Sequence, residues 1–98
     1  MTHGIFKVAN FNLQAGYVIA VRFTDGTTQI IDFEPILNGE IYGPLRDHAL
    51  FSRVGIDREV HTLVWPNGAD FDPETLHDWP QHAGAFRELA GKWTTVKA

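Results

Sequence analysis

Five histidines and a close pair of aspartates are the residues of this 98-residue chain whose types could do chemistry. Histidine can act as acid, base or metal ligand, and two carboxylates can divide general acid and base roles between them. The spacing favours neither use. His77 and His82 have Pro80 between them and do not share a helical face, while His48 and His61 stand alone. No His-Glu-x-x-His pattern occurs. Asp72 precedes Pro73 and is expected to cap a helix, with the proline at the first helical position. Asp70 falls where a turn needs a short polar side chain, so both aspartates read as structural. There is no Gly-x-Ser-x-Gly elbow, P-loop or Gly-x-Gly-x-x-Gly. The chain has no cysteine, which removes disulfides, thiolate zinc sites, iron–sulfur clusters and thiol catalysis together. The expectation is therefore no enzyme, no cofactor and no metal.

Binding is the chemistry that remains. Trp65, Asn67 and Asp70 fall within six positions, so a small-molecule pocket there is one reading. The chain carries three tryptophans, a residue enriched both in small cores and at interface hot spots. Trp65, ending a strand, is expected in the core. Trp79, beside Pro80, is the one expected to be partly exposed and available to a partner. Trp93 can dock back or pack on a partner.

These residues must be positioned by a single domain, residues 1–98. With 44% hydrophobic and 20% charged residues the composition is that of an ordinary globular chain, so neither a disordered nor a fibrous reading is needed. The net charge of -4 repels nucleic acid on average, and no Lys/Arg cluster overrides it. The longest apolar run, Tyr17 to Val21, is far short of a membrane span. Met1-Thr2-His3-Gly4 lacks the pattern of a signal peptide. A cytoplasmic protein with no nucleic-acid or membrane partner is expected.

Tyr17 to Phe23 is β-branched and aromatic and reads as a strand, with Thr27 to Phe33 its partner. A two-residue loop at Asp25-Gly26 pairs Val21 with Ile30 and sends Ile31 and Phe33 to the wrong face. A three-residue loop, Thr24-Asp25-Gly26, pairs Ile19 with Ile31 and Tyr17 with Phe33 and gathers all the large apolar side chains on one face. The buried face sets register, so the second pairing is expected, with Gly26 at the left-handed position of a type I turn plus bulge. The opposite face then carries Val18, Ala20, Arg22, Thr28, Ile30 and Asp32 and is half apolar. Partial cover by a helix or the N-terminal segment is the plainer reading; a subunit or partner interface, including a homodimer, is the sharper one.

Ile5 to Ala9 is expected to form a further strand on Tyr17–Phe23, and Leu37 to Glu40 a turn. Pro44 to Phe51 reads as one short helix burying Leu45, Ala49 and Leu50. Val54–Ile56 and Val60–Trp65 read as a second hairpin turning at Asp57-Arg58-Glu59. The Trp65-Pro66-Asn67-Gly68-Ala69-Asp70-Phe71-Asp72-Pro73 stretch reads as strand, turn and helix start, followed by one helical turn that Trp79-Pro80 stops. Phe86, Leu89, Ala90 and Trp93 are spaced as one face of an amphipathic helix in a tail over 79–98. The fold class expected is α+β: a small antiparallel sheet built from two hairpins, with short helices on one face.

The order of these elements, with Phe23 to Gly26, Ile31 to Phe33, Leu45 with Asp47, Phe51 and above all Trp-Pro-Asn-Gly-Ala-Asp at residues 65–70, resembles the bacterial domain-of-unknown-function family 2442 over about residues 5–78. That family has no established activity. Some members carry an appended helix-turn-helix domain, which this chain is expected to lack. The resemblance implies a binding role. Members are often encoded beside another small protein, as in toxin–antitoxin pairs. The expectation is a protein-interaction module, antitoxin-like, whose partner is a small basic protein encoded by the adjacent gene.

Overall fold

A computed structural model describes the backbone of residues 6–96 and the side chains of residues 6–92. Three strands, β1 (Val8–Leu13), β2 (Val18–Phe23) and β3 (Thr28–Asp32), form an antiparallel meander in that order. Helical turns follow: a 3-10 turn Glu34–Ile36, α1 (Gly39–Tyr42), a second 3-10 turn Gly43–Arg46 and α2 (His48–Phe51). β4 (Gly55–Ile56) and β5 (Leu63–Val64) pair as a small hairpin, and α3 (Pro73–His77) leads into the long α4 (Trp79–Val96). The architecture is α+β, as the pattern requires.

β2 and β3 pair in the register that the buried face demands. Ile19 lies opposite Ile31, and the Phe23 N–H donates to the Thr27 carbonyl (2.8 Å). Gly26 takes φ 92°, a conformation that glycine adopts without strain. The Asp25 carboxylate accepts the Thr27 N–H (2.9 Å) and closes the turn.

Four boundaries differ from expectation, each for a local reason. β1 begins at Val8, with Phe6 and Lys7 outside it, and runs to Leu13 with a bulge between Val8 and Asn10; the bulge keeps Val8 and Phe11 on the core side despite the extra residue. Ile5 lies outside the described residues. The segment 44–51 is two pieces, because Asp47 is extended (φ -71°, ψ 108°) and its carboxylate accepts the Ala49 N–H (3.1 Å), restarting the helix as an N-cap. Leu45 is buried there, but Ala49 is exposed and Phe51 takes the core position. The second hairpin does not join the first sheet. Its ladder stops after two pairs, as Asp57 gathers the N–H groups of Glu59 and Val60 (2.8 and 2.9 Å) and His61 turns to φ 60°. One bond, Val8 N–H to the His61 carbonyl (2.9 Å), ties the two sheets.

The fourth difference is at Trp79-Pro80. Pro80 opens α4 instead of stopping the chain, since a first-turn proline lacks only an N–H that has no helical partner. Trp79, Ala83, Phe86 and Ala90 face inward, whereas Leu89 remains 46% exposed. The Trp93 side chain lies outside the described residues.

The core is one cluster between the inner sheet face and these helices. Phe33 is its hub, with ring centroids of Phe51, Trp65, Phe71 and Trp79 at 5.3–6.1 Å. Thr62 is the buried polar residue, and its hydroxyl donates to the Phe71 carbonyl. Thr62→Val leaves that carbonyl without this donor and is expected to cost about 1–3 kcal/mol, measured by urea denaturation.

Candidate functional site

The Trp65–Leu76 stretch is bound into the fold. Pro66-Asn67-Gly68 repeats the turn of Thr24-Asp25-Gly26 almost bond for bond. The Trp65 N–H donates to the Ala69 carbonyl, the Gly68 N–H to the Trp65 carbonyl (both 2.9 Å), and Asn67 Oδ1 accepts the Ala69 N–H (3.1 Å), with Gly68 at φ 92°. Each residue expected to meet a ligand then reaches back to the helical turns. Trp65 is 2% exposed and its indole N–H donates to the Phe51 carbonyl (2.9 Å). Asn67 Nδ2 donates to the Ile41 carbonyl (2.9 Å), and the Asp70 carbonyl accepts the Tyr42 hydroxyl (2.9 Å). Tyr42 stacks on Phe71 (4.9 Å), and burial, then the Asp70 charge, raises its pKa above the ordinary tyrosine value.

Asp72 stands at the N-cap of α3, but its side chain makes no capping bond; its carbonyl accepts the Leu76 N–H (3.1 Å). Trp79 corrects expectation: it is 8% exposed, packed on Phe33, Phe71 and Phe86 (5.5–6.2 Å). Desolvating so large a ring on the aromatic cluster outweighs leaving it in a turn.

The two matching turns differ at their polar residue, and the partners explain why. Asn67 must donate to a carbonyl, which a carboxylate cannot do. Asn67→Asp keeps the acceptor for Ala69 but aims a second oxygen at Ile41, so a loss of about 1 kcal/mol is expected, read as a lowered urea midpoint. Asn67→Ser, which keeps a donor, is expected to lose less.

Asp25 instead meets His77, in a cluster that sequence spacing did not reveal. His77 Nε2 lies 2.8 Å from Asp25 Oδ2 and its Nδ1 lies 2.8 Å from Asp78 Oδ1. Phe6 stacks on the imidazole (3.8 Å) and Phe23 meets it edge-on (4.9 Å). Burial disfavours the charged ring, but the hydrogen bonds and charges of Asp78 and Asp25 outweigh it and raise the His77 pKa. The Thr27 N–H and then His77 hold Asp25 below its ordinary value. With both ring nitrogens bonded to carboxylates, the imidazolium has no free lone pair for base catalysis or metal binding. It clamps the β2–β3 turn to the end of α3.

The raised His77 pKa makes its stabilisation complete below the unfolded value near 6.5, and pH rising through the higher folded value removes it. The lowered Asp25 pKa gives stabilisation above 3.8 that is lost as pH falls through its folded value. Thermal unfolding of wild type and His77→Gln is therefore expected to differ more at pH 5.5 than at pH 8.5. A larger difference at the higher pH contradicts the clamp.

His48 also has side-chain partners. Its Nε2 faces the Gly16 carbonyl (2.8 Å) and must donate, which leaves Nδ1 as acceptor for the Ser52 hydroxyl at 3.4 Å. That is long for proton transfer, and the bond to Gly16 makes His48 a tie between the β1–β2 loop and α2. Among the described residues, no three His, Cys, Asp or Glu side chains form a metal-ligand group. No helix there is long and apolar enough to cross a membrane.

What stays open is the outer face of the three-stranded sheet. Asn12, Ala20 and Ile30 cross its middle in register, and Asn10, Arg22 and Thr28 cross one end. Ile30 is 66% exposed at the centre of this face, while Val18 and Ala20 beside it are half-buried. The helices all gather where Ile19, Val21, Ile31 and Phe33 are buried, which is the face with more apolar area to remove from water.

No curated protein and no solved structure gives a significant match to the chain. Residues 8–81, from the start of β1 to the first turn of α4, match the family described as "Protein of unknown function (DUF2442)", and the chain belongs to that family.

Proposed function

We propose that this protein is a non-enzymatic protein-interaction module that binds through the outer face of its three-stranded sheet. The carrying observation is the large apolar residue Ile30, left 66% exposed at the centre of that face with half-buried Val18 and Ala20 beside it. Exposed apolar area rimmed by Asn10, Arg22 and Asp32 has the make-up of a docking surface. The side chains that chemistry would need support this reading by their other duties: His77, Asp25, His48 and Asn67 each hold the fold together.

The net charge of -4 favours a basic partner, since complementary charge steers encounter and suppresses wrong pairings. An antitoxin-like role, in which this acidic chain neutralises a small basic protein encoded beside it, is the specific form of the proposal. The test is a tagged pull-down from the source cells with mass spectrometry. A stoichiometric small basic protein, retained by wild type and lost with Ala20→Lys, is the expected result. A clean eluate across growth and stress conditions contradicts it.

A further inference from the structure

We infer that the free edge of β3 pairs with β3 of a second copy of this chain, joining two meanders into one antiparallel sheet across a two-fold axis at Ile30. The inference deepens the interaction reading above by naming one partner.

The hydrogen-bond pattern fixes which groups are free. Phe23 N–H bonds the Thr27 carbonyl, Phe33 N–H bonds the Tyr17 carbonyl, and Val21 and Ile19 lie opposite Gln29 and Ile31. Antiparallel strands alternate bonded and outward-directed residues. Thr28, Ile30 and Asp32 therefore point their N–H and C=O groups away from β2, and among the described residues nothing bonds them. α3 meets β3 on the core side instead, where Gln29 Nε2 donates to the His77 carbonyl (2.7 Å).

The other edge is protected. β1 carries a bulge between Val8 and Asn10, and the Val8 N–H is already spent on His61. Bulges and partial cover are how proteins blunt an edge strand. β3 has no bulge, lysine or proline, and it carries Ile30, the most exposed large apolar residue among those described.

The edge is complementary to itself. A two-fold axis at Ile30 places Ile30 opposite Ile30 of the second copy and Thr28 opposite its Asp32. Three residue pairs then exchange about six main-chain hydrogen bonds. The two isoleucines meet on the outer face and remove each other from water. Within one chain Arg22 lies opposite Thr28. Arg22, Thr28 and Asp32 of the second copy thus form a row, and Arg22 spans two strand spacings of about 4.8 Å to reach that carboxylate. The axis repeats the pair, and the two Asp32 groups stay at opposite ends. A second copy meets opposite charge at both corners and apolar contact in the middle.

Sedimentation velocity over a rising concentration series tests this on the full chain. Wild type is expected to shift towards twice its 11.0 kDa mass, with added salt weakening the shift by screening Arg22 from Asp32. Ile30→Lys sets two ammonium groups side by side across the axis and is expected to weaken association roughly tenfold or more. It leaves the monomer's unfolding midpoint in place, because Ile30 is exposed. Hydrogen exchange locates the contact: the amides of Thr28, Ile30 and Asp32 gain protection with concentration, and those of Phe11 and Leu13 do not. A wild-type chain that stays monomeric at every concentration overturns the inference, as does protection at Phe11 and Leu13 in place of Ile30. A monomer that still captures a basic partner through Ala20 overturns the dimer alone. A dimer that captures nothing leaves the dimer standing and removes the heterologous partner.

Discussion

Phe33→Ala is expected to cost about 3–5 kcal/mol, the range for deleting a buried aromatic ring. A domain of this size has about 5–15 kcal/mol in total, so the variant should sit near its unfolding threshold at room temperature. Phe33 is fully buried just after β3, and four aromatic rings close on it from four directions: Phe51 from α2, Trp65 after β5, Phe71 before α3 and Trp79 from α4. Removing it leaves one cavity shared by every layer, and rings fixed by separate hydrogen bonds cannot all collapse into it. Trp65 is held by the Phe51 carbonyl and Tyr42, stacked on Phe71, by the Asp70 carbonyl. Urea denaturation gives the number; a loss below about 1 kcal/mol means that the cluster repacks freely and is not the hub described.

Trp79→Ala is expected to cost about 3 kcal/mol, the low end for a buried tryptophan because the ring lies at the cluster's rim. The effect should be larger than that of Phe86→Ala, since Trp79 touches Phe33, Phe71 and Phe86 while Phe86, the next large residue of α4, is half-buried. α4 docks through Trp79, Ala83, Phe86 and Ala90, and Trp79 is the largest side chain among them. Loss of Trp79 should therefore release the helix as well as lower the midpoint, read as a fall in helical circular dichroism before the main transition. Equal effects of the two variants contradict that anchoring role.

How far the sequence reveals this fold depends on whether a bond is local. The β2–β3 register was legible because one slip moves Ile31 and Phe33 to solvent, a penalty visible in the side-chain alternation alone. Gly26 and Gly68 were legible because left-handed backbone has a residue signature. The break at Asp47 was harder, since an N-cap within a helical pattern competes with a continuous helix and the winner depends on packing of Leu45 and Phe51. Pro80 reads equally as a stop or a start, because a proline ends one helix and opens another, and only the burial of Trp79 decides.

The site was less legible. The string around Trp65 stands out in sequence, yet Trp65 and Asn67 serve Phe51 and Ile41, partners that only the fold supplies. His77 and Asp25 are far apart in the chain, with no spacing signal to join them. The outer sheet face was legible as half apolar from Val18, Ala20 and Ile30. That Ile30 stays exposed at its centre follows from where the described helices pack, which their own sequences do not dictate.

The central claim is that binding lies on the outer sheet face and that the Trp65–Leu76 stretch is structural. Pull-downs from the source cells with wild type, Ala20→Lys and Asn67→Ser, all checked for folding at the assay temperature, test it most directly. The account predicts that a small basic protein comes down with wild type and with Asn67→Ser and is lost with Ala20→Lys. Capture lost with Asn67→Ser and kept with Ala20→Lys would place binding at the turn and contradict the account.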